Sequence, residues 1–160
     1  MSIERVRAYF ASLGREADVQ ELSVSSATVT LAAQALGVEE ARIAKTLSFY
    51  QGDGALLIVA AGDAKIDNAK FKRQFGHKAK MLSPEDVQRL TGHTIGGVCP
   101  FALAQPEPPV YLDVSLQRFR TVFPACGSSN SAIELTCDEL CTYAHAQQWV
   151  DVCKGWQEQA

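Results

Sequence analysis

Hydrophobic residues recur along the chain with two periodicities, that of a helix and that of a β-strand. Together they predict a fold that mixes helices with a β-sheet. Hydrophobic residues recur at spacings of three and four from Ile3 to Leu13, which is typical of an amphipathic helix over residues 2–13. Capping residues and glycine stops predict four more helices, at residues 28–36, from 67 or 68 to 75, from 84 onward and from 136 onward. We place the N-cap of the second helix at Ser25 or Ser26.

The strongest β signal is a hairpin in the first half of the chain. Two apolar strands, at residues 45–50 and 55–61, flank the turn sequence Gln-Gly-Asp-Gly. Shorter strands are predicted at residues 19–24, 110–112, 121–123 and 131–135. Residues 91–100 are rich in glycine and lack a period, so they predict an ordered loop, and residues 105–109 predict another. The fold class is therefore α/β, of the mixed α+β kind.

Composition narrows the class of protein. The chain has 160 residues, 47% of them hydrophobic, which is enough to bury a core in one globular domain over residues 1–160. Its longest apolar run, residues 55–61, is far shorter than the roughly 20 residues of a membrane span, and the first residues lack the apolar stretch of a signal peptide. The five cysteines include no CxxC pair, which favours free thiols. We expect a cytoplasmic protein without a membrane partner.

Charge is distributed unevenly along the chain. The net charge is −3, from 15 basic and 18 acidic residues. Residues 65–80 carry six basic side chains and only Asp67 as an acid, a local charge of +5, so the rest of the chain carries −8. A basic patch on an acidic body indicates contact with phosphate at one place. A solvated helix face explains the same pattern equally well.

Three of the cysteines could bind a metal or act in catalysis. Cys137, Cys141 and His145 are spaced by four and would share one face of the last helix, but no fourth zinc ligand is evident, so buried thiols beside a surface histidine explain them better. Cys99 lies in the glycine-rich loop and could act as a nucleophile with His93 as its base.

The glycine-rich loop also fits a role without a nucleophile. Backbone N–H groups of residues 96–100 can converge on an oxygen where negative charge develops, and a tight turn is the structural alternative.

Two charged residues lie at strand ends. Lys45 begins a core strand, where its ammonium either extends to solvent or meets an anion in a cleft. Asp113 ends a strand, where an acid more often caps the next turn than catalyses.

Six short segments follow one another in a specific order along the chain: IAKTL at residues 43–47, GDAKID at 62–67, GHTIGGVCPF at 92–101, LD with SL at 112–116, ACGS at 125–128 and AIEL at 132–135. This series resembles the YbaK/EbsC family of freestanding aminoacyl-tRNA deacylases, which is related to the editing domain of bacterial prolyl-tRNA synthetases. The resemblance covers roughly residues 2–143. It implies a strongly bent mixed β-sheet surrounded by helices, and no metal or organic cofactor.

The resemblance also implies an activity and the residues that perform it. The family cleaves the ester between a wrong amino acid and tRNA, here proline tRNA that carries a small residue such as Cys, Ala, Ser or Thr. Lys45 would contact the adenosine end, and Gly97 lies in a GxxP element whose backbone donors polarise the ester for attack by water. Further substrate contacts are expected at Thr30, Gly96, Val98, Cys99, Pro100, Gly127, Ser128, Ser129 and Asn130. The polar residues of this set are equally typical of turns.

The basic segment gains a partner from the resemblance. The phosphates of the acceptor end of an aminoacylated tRNA would meet Lys70, Lys72, Arg73 and Lys78. The cysteine-specific branch of the family has an acid at the position of Ala132, so the edited amino acid is left open, as are a synthetase partner and the oligomeric state. The alternative function is a noncatalytic RNA-binding or other nucleic-acid-binding module that uses residues 65–80.

Overall fold

The structure, a computed structural model, describes residues 2–157. This part of the chain contains five α-helices and ten β-strands. The helices are α1 (Ser2–Ser12), α2 (Val29–Leu36), α3 (Asn68–Phe75), α4 (Pro84–Thr91) and α5 (Cys137–Tyr143). The strands are β1 (Gln20–Glu21), β2 (Ile43–Gln51), β3 (Gly54–Ala61), β4 (Lys65–Ile66), β5 (Val110–Asp113), β6 (Thr121–Pro124), β7 (Ser131–Ala132), β8 (Leu135–Thr136), β9 (Gln148–Val150) and β10 (Cys153–Lys154). None of the helices within residues 2–157 has the length and apolar character that a membrane crossing requires.

Six strands form the central sheet in the order β8-β6-β2-β3-β5-β9. Strands β2 and β3 are the predicted hairpin, with Ala44 opposite Ala61 and Gln51 opposite Gly54. The pairs β2–β6, β3–β5 and β5–β9 are parallel, whereas β6 and β8 are antiparallel. Two smaller antiparallel pairs, β1–β7 and β4–β10, complete the strands. This mixed sheet with its helices confirms the predicted fold class.

Strand β3 lies at the centre of the core. Every residue from 56 to 61 has zero exposure, because both edges of β3 are paired and both of its faces are covered. Phe10 of α1 packs on Phe101 with a ring-centroid distance of 4.9 Å, and Phe71 of α3 packs on Phe49 at 5.0 Å. Truncating such a buried ring costs about 3–5 kcal/mol, so these contacts hold α1 against Phe101 of the loop that follows α4 and hold α3 against β2.

Most helix ends have the capping chemistry that the sequence predicts. The Asp67 carboxylate accepts two backbone N–H groups at the start of α3, and Ser83 caps α4. Thr136 and Glu139 form the predicted capping box of α5. Helix α2 ends at Gly37, which adopts the left-handed conformation that glycine tolerates best.

The N-cap of α2 is a correction to the sequence prediction. Thr28 caps this helix through its hydroxyl, rather than Ser25 or Ser26. The reason is a tertiary contact, because the backbone N–H and the hydroxyl of Ser26 both donate to the carbonyl of Ser129. This contact holds residues 25–26 against the 127–130 turn before the helix begins.

Several short strands also differ from the prediction. The predicted strand at residues 19–24 pairs only over β1, and beyond it the N–H of Leu22 makes a single bond to Asn130. The predicted strand at 131–135 divides into β7 and β8, because the N–H of Ile133 between them donates to Pro124. The sequence does not predict β4, β9 or β10, since two or three residues give no recognisable period.

Candidate functional site

A cavity of about 250 Å³ lies between α2, strand β2 and the 92–101 loop. Its walls are mainly apolar: Val29, Ala32 and Leu36 from α2, Ile43 from β2 and Phe123 from β6 contribute. Hydroxyl groups enter the lining at fewer positions: Ser26, Thr28, Thr46, Ser48 and Ser131. A cavity of this size and polarity can enclose a small organic group.

Lys45 is the only charged residue among the described residues that line the cavity. Its ammonium donates to the carbonyls of Gly62, at 3.4 Å, and of Ala64. The Gly62 turn packs directly behind Val29 of the cavity wall, because a Cβ at this glycine would lie 2.7 Å from the Val29 side chain. Burial is the main cause that lowers the pKa of Lys45 below its ordinary value. With three donors and two acceptors in the protein, the ammonium retains one N–H for a ligand.

Thr46, the next residue of β2, has an unusual hydroxyl. Its Oγ1 is buried and has no hydrogen-bond partner among residues 2–157, although Thr46 belongs to the cavity lining. A buried hydroxyl without a partner costs about 1–3 kcal/mol. A polar group of a bound ligand is therefore the natural partner for it.

The glycine-rich loop reaches the cavity through Gly96 and Val98, both of which line it. Neither of their N–H groups donates to an acceptor within residues 2–157. The N–H of Gly97 is different, because it closes a turn by donating to Thr94 at 3.0 Å. The structure therefore brings Gly96 and Val98 to the cavity with free donors, and it places Gly97 outside the lining.

Gly97 has a packing role in this arrangement. A Cβ at this position would lie 2.9 Å from both the Cα and the backbone nitrogen of Ser128. The 127–130 turn thus supports the loop from behind. Gly127, Ser128, Ser129 and Asn130 are not part of the cavity lining. Thr30 is also outside it, on the exposed side of α2.

A buried histidine holds the far end of the loop. His93 has zero exposure, and its Nε2 lies 2.8 Å from the carbonyl of Phe101. Burial is the main cause that lowers the pKa of His93, which favours the neutral ring. Arg5 of α1 adds a second support, because its guanidinium donates to Gly92 at 2.8 Å. The two ends of the loop are therefore fixed to the core.

Cys99 lies beside His93 but away from the cavity. Its Sγ is 3.5 Å from His93 Nε2, and the side chain has zero exposure. Burial raises the pKa of this thiol to about 12, so the thiolate that a nucleophile needs is scarce at neutral pH. Cys99 and Pro100 both lie outside the cavity lining. This geometry does not support thiol chemistry at Cys99.

Asp113 has the structural role that its position suggests. Both carboxylate oxygens accept backbone N–H groups at 2.9 Å, one from Ser115 and the other from Val152. The side chain has zero exposure. It joins the end of β5 to the segment before β10.

The basic segment lies on the other side of the sheet from the cavity. Ser48 lines the cavity, whereas Phe49, which points to the opposite face of β2, packs on Phe71 of α3. The Lys70 ammonium is occupied by Asp151, at 3.1 Å, and by a backbone carbonyl. Three of the four predicted phosphate contacts are exposed: Lys72, Arg73 and Lys78.

The predicted helical face of Cys137, Cys141 and His145 does not form. Helix α5 ends at Tyr143, and His145 turns away with a φ of 54° and an Nδ1 contact of 3.2 Å to Glu107. No group of three His, Cys, Asp or Glu side chains within residues 2–157 is arranged to hold a metal ion.

Most of the cavity lining is not predicted by the sequence. Thr46 and Ser48 alternate along β2, and this spacing of two was the signal available for them. The α2 wall of Val29, Ala32 and Leu36 has helical spacing, but the same spacing describes any buried helix face. Only the fold shows that these two elements enclose one cavity.

Comparison with known proteins gives the class of this chain. The family model "Aminoacyl-tRNA editing domain" matches residues 24–143, and the chain therefore belongs to the aminoacyl-tRNA editing domain family. This result confirms the resemblance seen in the sequence and the enzyme class that it implied, an aminoacyl-tRNA deacylase.

Individual relatives match between 72% and 98% of the chain. The chain is 60% identical to "Uncharacterized protein YwhH" of Bacillus subtilis over 158 residues, which are 98% of this chain and 100% of that protein. It is 28% identical to the Enterococcus faecalis protein named "Putative Cys-tRNA(Pro)/Cys-tRNA(Cys) deacylase EbsC", over 72% of this chain and 71% of that protein. A crystal structure described as "a putative trans-editing enzyme for prolyl tRNA synthetase" superposes with a TM-score of 0.85 and 35% identity, covering 96% of this chain and 98% of that chain.

Proposed function

We propose that this chain is a trans-editing hydrolase that cleaves the aminoacyl ester of mischarged tRNA, with the 250 Å³ cavity receiving the amino acid. The observation that supports this function is the placement of Lys45 and two free loop N–H groups around one apolar cavity. Ester hydrolysis is favoured by donors near the carbonyl oxygen and by groups that hold the substrate in place, and this cavity offers N–H donors for the first task and Lys45 for the second.

The loop donors would stabilise the developing oxyanion. Gly96 and Val98 have free N–H groups at the cavity, so we assign the role to them and give Gly97 the task of positioning both. Removing one donor of this kind typically costs about 2.7–4 kcal/mol of transition-state stabilisation. Lys45 would hold the adenosine end with its remaining N–H.

Water is the nucleophile in this proposal. Its oxygen bonds to the carbonyl carbon, the bond from that carbon to the ribose oxygen breaks, and a proton passes to the ribose oxygen that leaves. The neighbouring ribose hydroxyl of the substrate can orient the water, so no side-chain nucleophile is required. The buried Cys99 thiol has no part in the reaction.

The cavity favours a small amino acid. Its apolar walls suit alanine or cysteine, and the Thr46 hydroxyl offers a partner to the α-ammonium group or to the hydroxyl of serine or threonine. One methylene contributes only about 1–3 kcal/mol to discrimination, so a binding step alone separates these residues poorly. Two relatives are named for prolyl-tRNA synthetase or Cys-tRNA(Pro), and we therefore propose proline tRNA as the carrier.

The test is deacylation of proline tRNA charged separately with alanine, cysteine, serine or threonine. We expect the wild-type protein to release at least one of these amino acids, and the Lys45→Ala variant to release it at least tenfold more slowly. Lys154→Ala is the matched control, since Lys154 is exposed on β10 and outside the cavity lining. Survival of all four charged tRNAs with the wild-type protein would contradict the proposal and favour a noncatalytic RNA-binding module.

A further inference from the structure

A second concave surface of this molecule is lined by arginines. It is a groove of about 790 Å³, and its basic residues are Arg15, Arg42, Arg118 and Arg120. Its acidic residues are Asp18 and Glu134, so arginines outnumber acids two to one in the lining, on a chain whose net charge is −3. We call this surface the arginine groove. Arginine is the residue that best matches phosphate oxygens, because its planar fork of donors can bind two of them at once.

Two of these guanidinium groups are held in place by neighbours. Arg15 Nε lies 2.5 Å from Asp18 and its Nη1 lies 2.6 Å from Glu139. Arg42 donates to the Thr121 hydroxyl at 2.5 Å and pairs with the Glu134 carboxylate at 3.3 Å. Each of them still has N–H groups to spare, since a guanidinium carries five donors. Because they are ordered before a ligand arrives, binding costs little side-chain entropy.

The other two arginines differ from each other. Arg118 makes a two-point ion pair with Asp63, at 3.0 and 2.6 Å, which balances its charge. Arg120 is exposed, and its guanidinium makes no hydrogen bond or ion pair within residues 2–157. Arg120 is therefore the groove residue whose charge is most available to a ligand.

The arginine groove adjoins the cavity of the proposed function. Thr121 lines the groove and Phe123 lines the cavity, and these residues are two apart on β6, which is roughly 7 Å. The Arg42 guanidinium lies 5.0 Å from the centre of the Phe123 ring. Ile43, the next residue after Arg42, also lines the cavity. The cavity and the groove therefore lie next to each other, separated by residues 42–43 of the β2 side and 121–123 of β6.

We propose that the arginine groove binds the ribose-phosphate backbone of the RNA whose 3′ end occupies the cavity, an inference that rests on the proposed function. The groove has the better position for this task than the basic segment at residues 65–80. Helix α3 packs on the opposite face of β2, and its Lys70 is already paired with Asp151. Arg120, whose charge is unpaired within residues 2–157, supplies the main phosphate contact, and Arg42 adds the N–H groups that its ion pair with Glu134 leaves free.

The experiment measures RNA binding without any ester. The probe is an uncharged RNA hairpin with the acceptor-stem sequence of proline tRNA and a labelled single-stranded 3′ end, followed by fluorescence anisotropy at several salt concentrations. Each phosphate contact contributes about 0.7–0.9 to the slope of log affinity against log salt. We expect Arg120→Gln to reduce the slope by about this amount and to weaken binding about fivefold to eightfold at 0.1 M salt. Arg120→Lys, which keeps the charge, should restore most of the slope.

Lys72→Gln is the matched control, because Lys72 is also exposed and basic but lies on α3. The inference is overturned if Arg120→Gln binds with the wild-type slope, if Lys72→Gln loses the slope instead, or if the wild-type protein does not bind the hairpin. Wild-type binding that depends on Arg120, together with no deacylation of any charged tRNA, would support the groove and contradict the proposed function. RNA binding therefore tests the arginine groove, and deacylation tests the proposed function independently.

Discussion

Replacing Gly97 with alanine should reduce the deacylation rate that we propose for the glycine-rich loop far more than it reduces the stability of the fold. The added Cβ would lie 2.9 Å from two backbone atoms of Ser128, whereas ordinary contacts begin near 3.4 Å, so the loop or the turn must move by about 0.5 Å or more. The donors of Gly96 and Val98 flank this position and move with it. A misplacement of about 1 Å can cost 10²-fold in rate.

The effect on stability should be smaller. Forcing one extra methyl group into a packed site costs typically about 1–3 kcal/mol, and 1 kcal/mol corresponds to about 2–4 °C in Tm for a chain of this length. We therefore expect Gly97→Ala to remain folded, with a Tm lowered by roughly 2–12 °C. Deacylation by this variant should be about 10²-fold slower than wild type at a temperature where both are folded.

Gly54→Ala is the control for this prediction, because a Cβ there meets only a carbonyl oxygen at 3.7 Å, in the hairpin turn. Single-turnover deacylation and a thermal melt on the three proteins provide the comparison. If Gly97→Ala is folded and hydrolyses the ester at the wild-type rate, the loop donors do not contribute to the reaction and the reasoning is refuted.

Three further predictions test individual groups. Thr46→Val should leave the Tm unchanged or raise it, because it removes a buried hydroxyl without a partner, yet it should raise KM; an unchanged KM would show that no substrate group reaches this hydroxyl. Cys99→Ser should keep deacylation within about twofold of wild type, and iodoacetamide at neutral pH should leave Cys99 unmodified by mass spectrometry, because the thiol is buried with a pKa of about 12. Burial lowers the pKa of Lys45 below 10.5, so deacylation that needs its ammonium should be lost as pH rises through this lowered pKa. Lys45→Arg should move this loss of rate to higher pH. Identical alkaline pH–rate profiles for the two proteins would contradict the role of Lys45.

The fold was predictable where many residues repeat one pattern. The hairpin of β2 and β3 shows this, because its apolar strands and glycine turn agree over residues 45–61, and the structure pairs these two strands. The N-cap of α2 was not predictable in the same way. Ser26 has the right chemistry for a cap, but Ser129 lies more than 100 residues further along the chain and takes its hydrogen bonds.

The sequence indicates which segments contribute to the candidate site, but it does not give the arrangement of their side chains and backbone donors. The segment order pointed to Lys45 and to the loop that begins at Gly96, and both border the cavity. Which loop amide is free depends on a turn that uses the Gly97 N–H, and charge counting could not place α3 on the far face of β2. The arginine groove escaped detection because Arg15, Arg42 and Arg120 meet only after folding.

The most direct test of the account is the response of the loop amides to a bound substrate analogue. The ligand is an aminoacyl-adenosine in which a stable amide replaces the ester, carrying the amino acid that the deacylation panel selects, and the readout is the ¹⁵N–¹H spectrum of the protein. We predict downfield shifts for the amides of Gly96 and Val98 as they bond to the carbonyl oxygen, with little change at Gly54 of the hairpin. Binding that leaves both amides unmoved, or that shifts α3 instead, would contradict it.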